Sequence, residues 1–388
     1  MTIILNITAQ PSVRVSTLRR QLLYRVAAPA RAGSATMRKQ DRVRGAMDTP
    51  TFERARLRVA RELVGLSQNQ LATQVGLTPA AISQFESGAS RPGPDTLASL
   101  SAALRVPAGF FVQPVTDTHE GFFRSLRRTA VADRRRARAV AHVAHDLALA
   151  AAATGRFPVS DVPRIPASGL DASLDEIEDI AGQVRVRWGV PPGPIADVVE
   201  LLEAHGVVVI RLPLGSADVD AFSLPFADHP VVVLGTDKND RARSRFDGVH
   251  ELAHLVTHGE QIWGIKEVED QAHRFAAAFL MPANEIYDQL PTTVDWPKLF
   301  ELKRHWQVSL AALLMRARTL RRMSENSYLT AIKAASARGW RRLEPVPLGP
   351  PEQPWNLLSF LGSAASQPAR AYLPAYLIDD IAAATVAA

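Results

Sequence analysis

The sequence predicts a multi-domain protein with an all-α N-terminal domain followed by an α+β domain that holds a small sheet. Between residues 50 and 115, short amphipathic helical segments alternate with glycines and good N-cap residues. In the second half of the chain, three short β-branched runs follow two helical segments. A length of 388 residues is enough for two or three domains, each with its own core.

Composition restricts the kinds of site that the chain can hold. Apolar residues make up 47% and charged residues 22%, which is ordinary for a globular protein. There is no cysteine, so disulfides and thiolate metal sites are excluded, and any metal must be bound by histidines and carboxylates. The absence of cysteine fits a cytoplasmic protein. No apolar run approaches the roughly 20 residues that span a bilayer, so we expect no membrane partner.

Residues 1–48 are predicted to form a basic, disordered tail. Before Met47 the chain has nine arginines and lysines against one acid, Asp41, and it lacks a long periodic pattern. Translation that starts at Met47, with residues 1–46 not part of the protein, is an equally simple interpretation. The alternatives are a basic arm that binds nucleic acid and a segment similar to a transit peptide.

Residues 50–115 have the pattern of a helix-turn-helix module. Ser67 is a good N-cap for a short helix, Gly76 permits a tight turn, and Thr78 caps the next helix, which starts at Pro79. In this geometry the N-terminal part of the second helix of the pair enters the major groove of DNA. Polar side chains there can bond bases, and flanking ones can bind phosphates. The candidate DNA-binding residues are Gln68, Thr78, Ala80, Ser83, Gln84 and Arg91.

The stretch LSQNQLATQVGLTPAAISQFESGASRPGPDTLASLSAAL, at 66–104, closely resembles the XRE/Cro-type helix-turn-helix family. The matching residues include Leu66-Ser67-Gln68, Gly76, Glu86-Ser87-Gly88 and Arg91-Pro92. The resemblance implies that the module binds double-stranded operator DNA as a homodimer. A helical packing module that makes no contact with DNA is the alternative.

Residues 116–170 are predicted to be a basic helical connector. Alanine and arginine are strong helix formers, and six arginines between 127 and 138 make the segment basic. A solvated helix that links two domains is the favoured interpretation, and a second nucleic-acid surface is the alternative. The segment VPRIPASGL, at 162–170, is typical of a domain boundary.

Residues 171–322 are predicted to form the α+β domain, and residues 323–388 a helical and proline-rich C-terminal extension. Within the α+β domain the first two helices and the strands can be placed from periodicity and β-branched content. The predicted helices are 171–188 and 191–205, and the predicted strands are 207–212, 221–226 and 231–234.

The most informative motif is His-Glu-Leu-Ala-His at 250–254, within a helical pattern that covers 241–258. Because positions four apart share one face of a helix, His250 and His254 can point at one metal ion, with Glu251 beside them. Such a pair can hold Zn²⁺ and place a carboxylate beside its bound water. The motif is therefore typical of a metal-dependent peptidase.

Two histidines do not complete a catalytic zinc site, which usually has three protein ligands and a water. His258 lies ~12 Å along the helix axis from His250, at ~1.5 Å per residue, so it cannot bind the same metal. On the next predicted helix, 268–281, Glu269 lies on the side of the packing residues and can face the first helix. Five residues are considered as the third ligand: His258, Glu267, Glu269, Asp270 and His273. The distance along a continuous helix excludes His258, Glu267 and Asp270 turn away, and Glu269 is preferred.

The segments RSRFDGVHELAHLVTH and KEVEDQAHRFAAAFLMP together resemble the ImmA/IrrE family of zinc metallopeptidase domains. The resemblance implies a zincin-like (HExxH) fold. It also implies that His250, His254 and Glu269 are Zn²⁺ ligands and that Glu251 is the general base. The sequences FFRSLRR and ARGWRRLEP are shared with XRE-type regulators that carry this peptidase as a fusion.

Two positions near the motif depart from the family's pattern. Gln271 stands where many relatives carry a second glutamate, and Ala253 stands where many carry glycine. Neither residue is expected to touch the chemistry.

The motifs together predict a bacterial or phage-encoded, DNA-binding transcriptional regulator with a fused zinc-dependent endopeptidase. The family implies that the peptidase cleaves a repressor-type protein and so relieves transcriptional repression. The alternative is a non-catalytic XRE repressor whose peptidase-like domain is a zinc-stabilised sensor or docking module. An enzyme without a role on DNA is a third interpretation.

Overall fold

The computed structural model of the chain describes residues 51–115, 131–214, 220–258 and 265–386. The predicted basic tail and the FFRSLRR segment lie outside the described residues. In the described ranges, no helix combines the length and the apolar character needed to cross a membrane.

The N-terminal domain is a bundle of short helices that begin at well-formed caps. The Ser67 hydroxyl accepts a hydrogen bond from the Gln70 backbone N–H at 3.2 Å, and the Gln70 side chain accepts from the Ser67 N–H at 2.8 Å. Thr78 Oγ1 accepts from the Ala81 N–H at 3.2 Å, and Gly76 turns the chain with a φ of 66°. The predicted helix-turn-helix geometry is confirmed. The helices are α1 (Arg54–Leu63), α2 (Gln68–Gln74), α3 (Pro79–Ser87) and α4 (Pro94–Leu104).

The sheet has three strands in the order β1-β3-β2, with β1 and β3 parallel and β2 antiparallel to β3. In the register, Ile210 and Phe222 both lie opposite Val233. Both faces of the sheet are covered by helices, which explains why its strands are mostly apolar and do not alternate regularly with polar residues. Within the strands, the polar side chains of Arg211 and Ser223 are buried. The strands are β1 (Val208–Leu212), β2 (Ala221–Leu224) and β3 (Val231–Gly235).

The helices of the second half surround this sheet, and most begin and end close to the predicted positions. One prediction is wrong in extent: the helix expected over 191–205 begins only at Val198. Asp197 is its N-cap and accepts a hydrogen bond from the Glu200 N–H at 2.8 Å, so the prolines before it stay outside the helix. The helices are α5 (Val131–Ala153), α6 (Leu174–Arg187), α7 (Val198–Ala204), α8 (Arg241–Thr257), α9 (Lys266–Leu280), α10 (Ala283–Ile286), α11 (Trp296–Trp306), α12 (Leu310–Thr319), α13 (Glu325–Ala337), α14 (Asn356–Leu361), α15 (Gln367–Arg370) and α16 (Ala375–Val386).

Helix α5 is buried over most of its length, so the expectation of a solvated linker is wrong for this helix. It packs against α1 on one side and against β1 and β3 on another. Arg56 of α1 forms a buried ion pair with Asp146, and the His145 ring stacks on Phe226 with centroids 3.8 Å apart. Only its first turns, which carry the arginines, are largely exposed. The N-terminal helices and one face of the sheet therefore share a single core, which α5 completes.

The C-terminal extension returns to the centre of the molecule. Helices α14 and α16 pack against α5, β1 and each other, and their apolar side chains join the same core. Before α14, the Glu352 carboxylate accepts from the Val198 and Val199 N–H groups at the start of α7, at 2.9 and 3.3 Å. In return, Glu203 of α7 accepts from the Trp355 N–H at 2.8 Å, at the start of α14. Each helix is thus capped by a carboxylate from the other segment.

Candidate metal centre

His250 and His254 lie one turn apart on α8 and point towards Glu269 of α9. The Nε2 atoms of the two histidines are 3.1 Å apart, and Glu269 Oε2 lies 3.4 Å from His250 Nε2. One ligand atom from each of the three side chains lies within 4.8 Å of the others. The structure therefore brings together the three residues that the sequence singled out as ligands.

Glu269 reaches this position because α9 packs along α8 through a continuous apolar stripe. The stripe includes Ala272, Phe275, Ala276 and Phe279, all fully buried. A residue three positions before Ala272 lies on the same side of a helix, so Glu269 faces α8.

The other candidates for a third ligand lie elsewhere. Glu267 is exposed, and Asp270 forms an exposed ion pair with Lys266 at 2.5 Å. His258 lies beyond the end of α8 and contacts the far side of the His254 ring. His273 lies beside the centre, with its ring 4.5 Å from that of His250.

A chain of hydrogen bonds holds the His254 ring in one orientation. Gln271 donates from its amide to the carbonyl oxygens of Gly169 and Leu170, at 2.8 and 3.1 Å, which turns its own oxygen towards His258 Nε2 at 3.1 Å. His258 must then carry its proton on Nε2 and accept through Nδ1, which lies 2.9 Å from His254 Nδ1. His254 is therefore protonated on Nδ1, and its Nε2 keeps a lone pair that faces the other two side chains.

Gln271 thus has a larger role than its sequence position suggested. It was expected not to touch the chemistry, yet it sets the proton positions of two histidines. The signal in the sequence was that Gln271 stands where many relatives carry a glutamate. The role of an amide there becomes visible only once residues 169–170 are known to pack nearby.

Glu251 lies beside the centre in a closed environment. Its side chain is 4% exposed, and Ser223 of β2 donates a hydrogen bond from Oγ to Glu251 Oε2 at 2.7 Å. Burial raises the pKa of Glu251 to about 8, although the Ser223 hydrogen bond lowers it and the negative charge of Glu269 raises it further. Burial, together with His250, holds the pKa of His254 well below its usual value, so this imidazole is neutral and able to bind a metal.

The donor set fits a zinc ion. Two imidazole nitrogens and one carboxylate oxygen converge, and the histidine whose protons can be assigned presents a lone pair to the centre. His250 supports the same conclusion, because its Nδ1 is buried without a hydrogen-bond partner in the described part of the chain. That leaves Nε2 as the atom through which this residue can interact.

Most of the predicted DNA-binding side chains are exposed, but two of them already form hydrogen bonds within the domain. Ala80, Ser83 and Gln84 lie on the exposed face of α3, and Arg91 is exposed in the following loop. Thr78 is exposed too, but its hydroxyl already caps α3. Gln68, expected to bind a phosphate, donates from its amide to Glu86 Oε2 at 2.8 Å.

Comparison with known proteins gives two matches that fall on the two sites. Residues 57–111 match the family model described as helix-turn-helix, and residues 202–318 match the one described as the IrrE N-terminal-like domain, a peptidase family. Two curated proteins, from Sinorhizobium medicae (strain WSM419) and Rhizobium meliloti (strain 1021), are each described as an uncharacterized HTH-type transcriptional regulator. Each is 36% identical over 59 residues, which cover 15% of this chain and 42% of the relative. The chain therefore consists, at the matched positions, of an XRE-type helix-turn-helix domain fused to an IrrE/ImmA-like domain of a peptidase family.

Proposed function

We propose that the protein is a transcriptional regulator that binds operator DNA and that its fused domain is a zinc-dependent endopeptidase. Its substrate is a repressor-type protein, whose cleavage relieves repression. The observation that carries the proposal is the convergence of His250 Nε2, His254 Nε2 and Glu269 Oε2 beside the buried carboxylate of Glu251. This is a donor set and a base with which zinc peptidases hydrolyse a peptide bond.

In this mechanism the three converging side chains would hold the zinc ion. A zinc ion bound there supplies a Lewis acid and lowers the pKa of a bound water towards ~7. The positive charge of a bound zinc ion would lower the raised pKa of Glu251 and keep this carboxyl ionised. Glu251 then accepts the proton of the attacking water and delivers it to the leaving amine. The Ser223 hydroxyl holds Oε2 of that carboxylate, and this leaves Oε1 as the oxygen that exchanges the proton.

Removal of the metal is expected to abolish hydrolysis and to lower the thermal midpoint of unfolding. A ligand that binds only the folded state at ~1,000 times its Kd stabilises it by ~4 kcal/mol. The measurement compares purified, chelator-treated and zinc-restored full-length protein, by elemental analysis, thermal unfolding and cleavage of candidate repressor proteins. Cleavage that persists at the same rate without metal would contradict the proposal.

The DNA-binding part of the proposal depends on the exposed face of α3. Gln84 can bond adenine through two hydrogen bonds, and Arg91 lies where a phosphate contact is expected. We propose that two copies of the chain bind an operator as a homodimer, as the helix-turn-helix geometry allows. A DNA target is consistent with a cytoplasmic protein, bacterial or phage-encoded.

Gln84→Ala is expected to weaken binding to the chain's own promoter by ~1–3 kcal/mol and to change binding to scrambled DNA little. Arg91→Ala is expected to weaken binding to both DNAs. It should also reduce by ~1 the slope of the logarithm of the binding constant against the logarithm of the salt concentration. Fluorescence anisotropy over a range of salt concentrations measures both effects. Gln183→Ala, an exposed glutamine on α6, is the matched control. If Gln84→Ala loses the same affinity for promoter and scrambled DNA, Gln84 does not contact a base. If the wild-type protein does not bind DNA at low salt, DNA is not its target.

A second candidate function is a regulator whose metal domain senses or docks a partner without cleaving it. The shared core favours this alternative, because α5 contacts both the helix-turn-helix domain and the sheet next to the metal centre. Zinc binding without any Glu251-dependent hydrolysis, combined with a change in operator affinity when zinc is removed, is the outcome that would select it.

A further inference from the structure

We propose that a groove beside the metal centre binds the segment of the protein substrate next to the cleaved bond. It would select a large apolar side chain followed closely by an acidic one. The inference rests on the proposed peptidase function and goes beyond it by stating the chemistry of the substrate. The groove has a volume of about 820 Å³, lies along α9, and is bounded by α12 and the first turns of α6.

The groove lies next to the metal centre. Its lining includes His273, whose ring lies 4.5 Å from that of His250, and Phe246, which lies one turn before His250 on α8. A peptide bond held against His250 and Glu269 would therefore place its neighbouring residues along this surface. The volume is within the ~300–1,000 Å³ of typical ligand sites, which is large enough for more than one side chain.

Part of the groove is apolar and exposed. Met315 of α12 is 43% exposed and Leu174 of α6 is 37% exposed, and Phe246 and Ala312 also line the groove. Large apolar side chains grouped in a concave surface gain free energy when a ligand removes them from water. The flexible thioether of Met315 can adapt to different apolar partners, so this part of the groove fits a large aliphatic or aromatic side chain.

Among the arginines and lysines that line the groove in the described part of the chain, three are paired and one is available to a ligand. Arg316 is paired with Glu178, Lys266 with Asp270, and Arg318 with Glu325. Arg274, exposed on the groove face of α9, has no hydrogen-bond or ion-pair partner among the residues that the structure describes. A guanidinium binds a carboxylate through two parallel hydrogen bonds, so Arg274 fits an aspartate or glutamate of the substrate.

The test measures binding separately from cleavage. Full-length, zinc-loaded Glu251→Gln protein is probed with a library of nonapeptides in which the central pair combines every apolar residue with Asp, Glu, Lys or Ser. Amidated and free C-termini distinguish a side-chain carboxylate from a terminal one. Peptides with an apolar–acidic pair are expected to bind about tenfold more tightly than their lysine counterparts, whether amidated or not.

Variants in the same background assign this preference to the groove. Arg274→Glu is expected to reverse the preference towards lysine, and Met315→Ser to weaken binding of peptides with large apolar residues. Arg304→Glu, an exposed arginine on α11 outside the groove, is the matched control and is expected to leave the preference intact.

Three outcomes would overturn the inference: absence of peptide binding, equal binding of acidic and basic peptides, or an unchanged preference in Arg274→Glu. Binding that needs a free C-terminus would overturn it as well. Failure of the proposed peptidase is distinguishable, because the selective peptides would then bind but protein with Glu251 intact would not hydrolyse them.

Discussion

Replacing Glu251 with glutamine is expected to leave the zinc ion bound and to reduce hydrolysis of the substrate protein by about 10²- to 10⁴-fold, which is the usual contribution of a general base. The amide has nearly the shape of the carboxylate and can accept the hydrogen bond from Ser223 in its place. It cannot take a proton from the attacking water. The three residues that converge on the metal position remain unchanged.

The measurement has three parts: metal content, thermal unfolding and the rate of cleavage. Wild type and Glu251→Gln should agree in the first two and differ in the third. Glu267→Gln, an exposed glutamate on α9 that turns away from the centre, is the matched control and should keep the full rate. If Glu251→Gln lacks both zinc and activity, Glu251 acts by supporting the metal site. If Glu251→Gln cleaves at the wild-type rate, Glu251 has no part in the mechanism.

The second large effect is expected from Glu352, which lies outside both domains as the sequence defines them. Its side chain is 5% exposed and forms an ion pair with Arg245 of α8, which is itself 1% exposed. It also caps the first turn of α7, and its backbone carbonyl accepts from Arg211 Nε at 2.8 Å. Glu352→Ala would leave the Arg245 guanidinium buried without its carboxylate, and we expect a loss of ~3–5 kcal/mol in the free energy of unfolding.

Equilibrium unfolding in urea measures this loss. Glu301→Ala removes a glutamate that is 67% exposed in its pair with Lys298, so it should change stability little. If Glu352→Ala does not fold, Glu352→Gln keeps the size and one acceptor oxygen, which can still cap α7, and should show a smaller loss. Stability of Glu352→Ala equal to that of wild type would show that the ion pair and the caps add nothing to the fold.

Much of the candidate site could be predicted because its signals are local. The spacing of His250 and His254 places them on one helical face whatever surrounds the helix. The position of Glu269 relative to the apolar stripe of α9 fixes its direction in the same way. In the N-terminal domain, the caps at Ser67 and Thr78 depend only on residues within three positions, so the helix-turn-helix was predictable as well.

What the sequence could not supply are contacts between segments far apart in the chain. The Ser223–Glu251 hydrogen bond joins a strand to a helix 28 residues later, and the Glu352–Val198 bond joins groups 154 residues apart. Gln271 forms hydrogen bonds with His258 and with the carbonyl oxygens at 169–170. The sequence pattern of α9 does not predict these partners.

The sequence by itself determined the two domain types, the strands, and the face of α8 that carries the two histidines. These features depend on helix and strand periodicity, which residues close together in the chain determine. Only the tertiary structure decided that α5 is the shared core of both domains and not a solvated connector. It also decided that the C-terminal helices complete that core. An apolar helix face shows that something must cover it, but which segment does so depends on the packing of the whole chain.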